Sequence, residues 1–283
     1  MKLSGKTIWI SGRDRRLEYL RDLLVQNGNA VYYEPALSSS EKAEGLKHCE
    51  ILLSGIPFDS QCTVNLSCFK QLKWVFGGLP GTETLVCCKE MEVCFYDYMK
   101  NEALTVYNAI ATAEGVITEA ICALPENLSE SRCLILGYGR CARQLAKMLK
   151  ALGTYLTISA RNPALSKEIT DAGMSFVPLE RLSFALSGQN VIVNTIPALI
   201  LNESLLRHIS PDSQVFDIAS APGGIDKNAA LALGIHAKNL PGLPGKYAPK
   251  ASAKAIFSCL EQNVPEFPNY SKVFHGGLHA AKK

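Results

Sequence analysis

One nine-residue segment constrains the fold of this chain more than any other. Residues 134–142 read LILGYGRCA, an apolar run followed by G-x-G-x-x-A, and a helical apolar pattern follows. In such a strand–turn–helix unit the first glycine allows a tight turn, and the second lets the backbone approach a pyrophosphate. The helix N-terminus offers free N–H groups to the phosphates. The segment predicts a dinucleotide-binding Rossmann unit, although a turn that binds nothing is the competing interpretation. The residues predicted to contact the cofactor are Gly137, Tyr138, Gly139, Arg140 and Cys141.

The next strand-like run indicates which nucleotide binds. Residues 155–159 read YLTIS, and they lead into Ala160, Arg161 and Asn162. An NAD site usually has Asp or Glu here to hold the ribose 2′-hydroxyl, whereas an arginine suits the 2′-phosphate of NADP. This chain has Ser159 and Arg161 and no acidic residue before Glu168. We therefore predict NADP(H), with Ser159 and Arg161 in the cofactor site. The alternative is a surface arginine at a strand end.

Composition narrows the class of protein. The chain has 283 residues, of which 47% are hydrophobic and 19% charged, and a formal net charge of +3. This length suffices for two domains, and the charge is too small to indicate nucleic acid. We expect no membrane partner, because no apolar stretch has the length of a span. The N-terminus runs into a strand without a signal-peptide pattern, so we expect a cytoplasmic protein. We also expect a homo-oligomer.

The cysteines do not indicate a metal or disulfide site. Ten are scattered along the chain without a C-x-x-C pair, so we expect no metal and reduced thiols. For Cys141, in the glycine turn, we favour packing over redox sensing. The five histidines form no recognisable catalytic pairing, and the sequence leaves the catalytic acid and base unassigned.

Alternating strand and helix patterns predict two α/β domains. Residues 1–100 contain five strand-like runs and form a smaller, substrate-side domain of flavodoxin-like or Rossmann-like type. A helix over 101–125 links it to the Rossmann domain, residues 126–248. A helix over 249–262 returns to the first domain. The tail, 264–283, is expected to be loosely ordered, and we expect an interdomain cleft.

The remaining candidates lie in loops after the strands, because ligands bind at the carboxyl ends of strands in open α/β sheets, and at the start of the long helix. The further cofactor candidates are Asn194, Thr195, Ile196, Pro197, Asp217 and Ala219. Arginine forks bind carboxylates, and glycines allow close approach of the backbone to a ligand. The substrate candidates are Arg13, Arg15, Asn108, Thr112, Ser220, Gly223, Gly224 and Lys250. The alternative is that these residues form plain turns or carry solvated charges. Lys246 is a further cation that would face an acidic substrate, with a solvated charge again as the alternative.

Four stretches together resemble one family, the A subunits of dipicolinate synthase from spore-forming bacteria. They match in order and spacing over residues 1 to about 262. The stretches are GRDRR at 12–16, YNAIATAEG at 107–115, NTIP at 194–197 running to ILN at 200–202, and DIAS at 217–220 with PGG at 222–224, followed by PGLPG at 241–245 and APK at 248–250.

This resemblance implies an NADP-dependent oxidoreductase that works with a second, flavin-binding B subunit. The implied reaction oxidises a dihydrodipicolinate-level intermediate of the lysine (diaminopimelate) pathway to pyridine-2,6-dicarboxylate, in the mother cell of a sporulating bacterium. On that basis Gly137, Gly139, Arg140 and Arg161 bind the cofactor. From their charge and placement, we expect Arg13 and Arg15, with the loops at 220–224 and 242–250, to hold the two carboxylates.

The chain departs from the family pattern at three places. Ala142 replaces the third glycine, Ala221 stands where an arginine is expected, and ASA at 251–253 replaces a Thr-Ala-Gly run. The missing arginine weakens the carboxylate argument and leaves the substrate open. Two alternatives also remain open: a nucleotide-binding or regulatory subunit whose chemistry resides in the flavin-binding partner, and a dehydrogenase of the shikimate or 2-hydroxyacid kind. For the hydroxyacid type, the expected Arg, Glu and His set cannot be placed.

Overall fold

Two compact α/β units make up the chain. The computed structural model describes residues 3–59, 62 and 66–264. Unit 1 comprises Met1–Tyr107 and Ala248–Lys283, and unit 2 comprises Asn108–Tyr247. The first division falls inside one long helix, and because the chain returns to unit 1 after Tyr247, that unit is built from two separate parts of the sequence.

Unit 1 contains a five-stranded parallel sheet. Its strands are β1 (Thr7–Ile10), β2 (Ala30–Tyr33), β3 (Ile51–Leu53), β4 (Trp74–Gly77) and β5 (Cys94–Asp97). They are ordered β2-β1-β3-β4-β5, which is the flavodoxin-like order. The helices between them are α1 (Arg15–Gln26), α2 (Ser39–His48) and α3 (Thr82–Glu90).

Local sequence explains where α1 lies. Asp14 caps its N-terminus, because the carboxylate accepts a 2.9 Å hydrogen bond from the Arg16 N–H. Leu17, Leu20 and Leu24 recur at helical spacing and are buried against the sheet. The same apolar face therefore defines both the helix and the core of unit 1.

Unit 2 contains a six-stranded parallel sheet. The long helix α4 (Glu102–Ala123) precedes the first strand of this sheet. Its strands are β6 (Arg132–Leu136), β7 (Tyr155–Ala160), β8 (Ser175–Pro178), β9 (Val191–Asn194), β10 (Gln214–Asp217) and β11 (His236–Asn239). Its other helices are α5 (Arg140–Ala151), α6 (Leu165–Asp171), α7 (Ser183–Leu186), α8 (Glu203–Leu206), α9 (Lys227–Ala232) and α10 (Leu243–Tyr247). The order β8-β7-β6-β9-β10-β11 is that of a dinucleotide-binding Rossmann sheet, so the predicted fold class is confirmed.

Strand register places the predicted site residues in one row. Leu136 in β6 pairs with Ser159 on one side and with Asn194 on the other. Asn194 pairs in turn with Asp217 in β10. The loops that follow these four residues therefore leave the sheet at the same carboxyl edge.

The last described helix, α11 (Pro249–Asn263), belongs to unit 1. Its Ala253, Ile256 and Leu260 are buried in the same core cluster as the apolar face of α1. The tail that was predicted to be loosely ordered lies outside the described residues, apart from Val264, which is buried at the end of α11. No helix in the described ranges is long and apolar enough to cross a membrane.

Candidate functional site

The turn between β6 and α5 requires glycine at its first position. Gly137 has a φ of +95°, in the left-handed region that favours glycine. A Cβ atom added here would lie 2.5 Å from Thr195 Oγ1 and 3.0 Å from Ile196 Cγ1. The Gly137 N–H donates a 2.8 Å hydrogen bond to the Ser159 carbonyl. The chain therefore turns sharply here and lies directly against the loop after β9.

The second glycine of the turn faces open space instead. A Cβ atom on Gly139 would have no other protein atom within 4 Å, and its φ of −83° suits any residue. Gly139 is the N-cap of the 12-residue helix α5, whose first N–H groups have no carbonyl partner within the helix. Arg140 is exposed at the start of this helix. The surroundings of Gly139 therefore offer backbone donors, a positive helix end and room for a phosphate group.

Alanine at the third motif position fits the packing. Ala142 is fully buried in the core cluster that includes Leu145 and Ile135. The helix lies close to the sheet at this point, where a small side chain is needed. The departure from G-x-G-x-x-G is therefore compatible with the close packing of α5 on the sheet.

Thr195 holds the turn in place. Its hydroxyl and its N–H both donate to the Leu136 carbonyl, at 2.8 Å and 3.0 Å. Its side chain thus joins the loop after β9 to the end of β6. Ile196 is partly exposed and Pro197 is exposed, so the solvent-facing surface of this loop consists of backbone and apolar groups.

Asn194 and Asp217 are buried and bind each other. Asn194 Nδ2 donates to Asp217 Oδ1 at 2.9 Å and to the Ile196 carbonyl at 3.0 Å. The Asp217 carboxylate also accepts from the Ala219 N–H at 3.1 Å and from the Gly224 N–H at 2.8 Å. Both side chains therefore hold the loops after β9 and β10 in place.

The loop after β10 closes tightly on this pair. A Cβ atom on Gly224 would lie 2.2 Å from Asn194 Nδ2, and one on Gly223 would lie 2.8 Å from Asp217 Oδ2. The Gly223 N–H donates to the Ser220 carbonyl at 2.9 Å, which makes a turn whose tip, including Ser220 and Ala221, is exposed. The two glycines are thus needed for packing, and the exposed tip is the part of the loop available to a ligand.

The end of β7 separates two of the predicted cofactor residues. Ser159 is fully buried, and its hydroxyl has no hydrogen-bond partner among the described residues. Arg161 is exposed, and no ion pair involves it within the described ranges. The guanidinium is therefore the group that this strand end presents to a ligand.

Near this strand end lies a charged cluster that the sequence did not predict. The Arg143 guanidinium stacks over the Tyr138 ring, 4.2 Å from its centroid, and binds both carboxylate oxygens of Glu168. Burial raises the pKa of Tyr138, and the Glu168 charge adds to this effect. Glu168 is thus already bound by an arginine in the free protein.

Cys141 contacts helix α4. Its thiol lies near the side chain of Thr112, whose hydroxyl donates to the Asn108 carbonyl at 2.9 Å. Burial raises the pKa of the Cys141 thiol, which opposes thiolate formation. The side-chain oxygen of Asn108 is buried and has no partner in the described part of the chain. The structure therefore brings Thr112, predicted as a substrate residue, close to the glycine turn between β6 and α5.

Two lysines close to the boundary after Tyr247 have different surroundings. Lys246 binds Glu119, a buried acid on α4 that also accepts a 2.6 Å hydrogen bond from the Tyr247 hydroxyl. These bonds, that from Lys246 above all, lower the pKa of Glu119. Lys250 on α11 is exposed and makes no ion pair within the described ranges. Lys250 is therefore available to an anion, whereas Lys246 is held by the protein.

The arginines that follow Gly12 in unit 1 also differ in their surroundings. Arg16 is buried, where it pairs with the Asp14 carboxylate and donates to the Ile56 carbonyl at 3.3 Å. Arg13 and Arg15 are exposed and make no ion pair among the described residues. The two arginines predicted to bind substrate are thus the two that remain accessible.

Comparison with known proteins gives one curated relative. No family model matches the chain. The dipicolinate synthase A subunit of Bacillus subtilis (strain 168) is 33% identical over 167 residues, which is 59% of this chain. The aligned part spans 56% of that relative's length, a little over half.

Solved structures show the same fold over nearly the whole chain. The dipicolinate synthase A subunit from Bacillus halodurans has a TM-score of 0.79 and 24% identity, covering 93% of this chain and 98% of its own. D-lactate dehydrogenase from Escherichia coli has a TM-score of 0.64 and 15% identity, covering 92% and 96%. These findings confirm the resemblance of this chain to the family of dipicolinate synthase A subunits.

Proposed function

We propose that this chain is a nicotinamide-nucleotide-dependent oxidoreductase of the dipicolinate synthase type, with NADP as its nucleotide. The observation that carries the proposal is the pair of glycines in the β6–α5 turn. Gly137 is required by the fold, whereas Gly139 faces open space at a helix N-terminus. A turn that served packing alone would not need an open second glycine above free N–H groups.

Different groups of the protein bind different parts of the nucleotide. The N–H groups at the start of α5, from Arg140 and Cys141, bind the pyrophosphate. Arg161 binds the 2′-phosphate, because a guanidinium fork matches phosphate oxygens. The loops of residues 195–197 and 218–220, held by Asn194 and Asp217, border the nicotinamide side. The bound nucleotide supplies the hydride acceptor at that end.

The substrate is a cyclic dicarboxylate at the dihydrodipicolinate level, which is oxidised to pyridine-2,6-dicarboxylate by loss of a hydride and a proton. The support is the 33% identity to a subunit of dipicolinate synthase and the exposed cations Arg13, Arg15 and Lys250. Asn108, Thr112 and the exposed tip at Ser220 are the further substrate candidates. No described side chain is assigned as the acid or base.

The similarity to the same relative supports a proposal for the partner and the location. That relative is named as one subunit of dipicolinate synthase, and we propose a flavin-binding B subunit as the partner of this chain. We also propose that the protein acts in the mother-cell cytoplasm of a sporulating bacterium, in a branch of the lysine (diaminopimelate) pathway.

Titration of the purified full-length chain with NADPH and NADH, followed by nicotinamide fluorescence, tests the proposal. Micromolar binding of NADPH, weaker binding of NADH and a shift on addition of dipicolinate are the expected results. Binding of neither nucleotide would overturn the proposal. Turnover by the chain alone, compared with turnover after the flavin-binding partner is added, then separates an enzyme from a nucleotide-binding regulatory protein.

The fold likeness to D-lactate dehydrogenase makes a 2-hydroxyacid dehydrogenase the second candidate. A panel of 2-hydroxyacids offered with NAD and NADP tests it directly. NAD-dependent turnover of any of them, without turnover of the dihydrodipicolinate-level compound, would favour this candidate over the first.

A further inference from the structure

Three side chains beside the nucleotide turn form one charged cluster. The Arg143 guanidinium lies 4.2 Å from the centroid of the Tyr138 ring. Its two terminal nitrogens bind the two carboxylate oxygens of Glu168, and the Nη2–Oε2 distance is 3.3 Å. The Arg143 and Glu168 side chains remain 44% and 49% exposed, so this arginine is accessible although it is paired.

The position of the cluster links it to the adenosine ribose. Tyr138 lies inside the G-x-G turn, and Arg143 lies in the first turns of α5. Glu168 is on α6, the helix that follows β7 and Arg161. In a Rossmann unit the glycine turn and the end of the second strand enclose this ribose, where NAD and NADP differ. The cluster therefore borders the part of the nucleotide that distinguishes the two cofactors.

The charges in this region show which groups are available. Arg161 makes no ion pair among the described residues, whereas the charge of Arg143 is balanced by Glu168. A 2′-phosphate is an anion with several acceptor oxygens that an arginine fork binds in the same geometry as a carboxylate. Glu168 thus occupies the fork that a phosphate would use. An ion pair this exposed is weak enough for a phosphate to displace it.

We propose that Arg143 is a second ligand for the nucleotide 2′-phosphate and that Glu168 competes with the phosphate for its guanidinium. Glu168 thereby limits the preference of the site for NADPH over NADH. This inference rests on the proposed function, because it concerns the same nucleotide site. It assigns a specificity-determining role to a carboxylate that lies outside the glycine motif and beyond the end of β7.

The test begins with Glu168→Gln, which keeps the shape of the side chain and removes its charge. Removal of one exposed negative charge beside the phosphate is expected to tighten NADPH binding about fivefold. The affinity for NADH is expected to change by less than about twofold, since NADH has no 2′-phosphate. Glu203→Gln is the matched control, because Glu203 forms another exposed pair, with Arg207, in unit 2. This control is expected to change neither affinity.

A double-mutant cycle identifies the route of the effect. In an Arg143→Gln background, Glu168→Gln is expected to lose most of its effect on NADPH. The dissociation constants are measured on the full chain by nicotinamide fluorescence and by calorimetry with 2′,5′-ADP as a probe without the nicotinamide. If Glu168→Gln leaves NADPH affinity unchanged, alters NADH equally or acts fully without Arg143, the inference is overturned. Failure of the wild-type chain to bind either nucleotide would instead refute the proposed function.

Discussion

Substitution of the two glycines in the β6–α5 turn by alanine is expected to affect different properties: stability at Gly137 and nucleotide affinity at Gly139. Gly137 has a φ of +95°, and alanine in the left-handed region costs about 1–2 kcal/mol. The new Cβ would also lie 2.5 Å from Thr195 Oγ1, and relief of such overpacking costs about 1–3 kcal/mol. Gly137→Ala is therefore expected to lower the free energy of unfolding of unit 2 by about 2–5 kcal/mol.

Gly139→Ala is the matched variant two residues away. Its φ of −83° is ordinary, and a Cβ there would meet no other atom within 4 Å. Alanine is a poorer N-cap than glycine, so the loss of stability is expected to stay below about 1 kcal/mol. Nucleotide binding is expected to weaken at least about tenfold, because the methyl group occupies the space in which the backbone approaches the pyrophosphate.

Urea unfolding at about 25 °C measures the first effect. Circular dichroism follows the unfolding of helices in both units. Tryptophan fluorescence follows unit 1, since Trp9 and Trp74 both lie there. Fluorescence titration with NADPH measures the second effect. The reasoning is refuted if Gly137→Ala is as stable as the wild-type protein, or if Gly139→Ala binds the nucleotide with wild-type affinity.

Three further changes test the buried groups of unit 2. Asp217→Ala removes the acceptor of three donors, and its expected cost of about 3 kcal/mol is measurable by urea unfolding; a loss below about 1 kcal/mol would contradict this role of Asp217. Ser159→Ala removes a buried hydroxyl without a partner in the described part of the chain, so a stability gain of about 1 kcal/mol with unchanged NADPH affinity is expected. Weaker NADPH binding would show instead that this hydroxyl contacts the cofactor. The pKa of Glu119 lies below its ordinary 4.5, so its stabilising contribution is present above that pH and is lost as the pH falls through the folded-state pKa. Glu119→Gln is accordingly expected to be less stable than the wild-type protein at about pH 7, with a difference that shrinks as the pH falls below 4.5, and thermal unfolding across this pH range measures the difference.

The fold was predictable because its signals are local. The apolar face of Leu17, Leu20 and Leu24 specifies one helix without knowledge of the rest of the chain. The strand before Gly137 and the helix after Gly139 specify the Rossmann unit, and parallel strands joined by helices restrict the topology further. Strand β8, at the edge of the sheet, was not predicted, since its four residues, SFVP, include a proline and only two large apolar side chains.

Side-chain partners across the sheet were not predictable from the sequence. Asn194 and Asp217 both follow apolar runs at strand ends, where polar residues are typical of ligand sites. Their hydrogen bond spans 23 positions and depends on the register of β9 with β10. Similarly, Arg143 and Glu168 meet across two helices, 25 positions apart. The sequence identifies Glu168 as the first acidic residue after β7, but it does not show that Arg143 binds this carboxylate.

These partners determine the sign of charge that the carboxyl edge of the sheet presents. The carboxylates of Asp217 and Glu168 are already bound, Asp217 by an amide and two backbone N–H groups and Glu168 by Arg143. The groups that face outward are the start of α5 and Arg161, both of which attract anions. An anionic nucleotide bound at this edge would thus meet donors, although Asp217 and Glu168 lie in the same region. Since the two carboxylates are held in different ways, they should differ in consequence: loss of Asp217 should disorder the loops, whereas loss of Glu168 should change only the charge that the ribose meets.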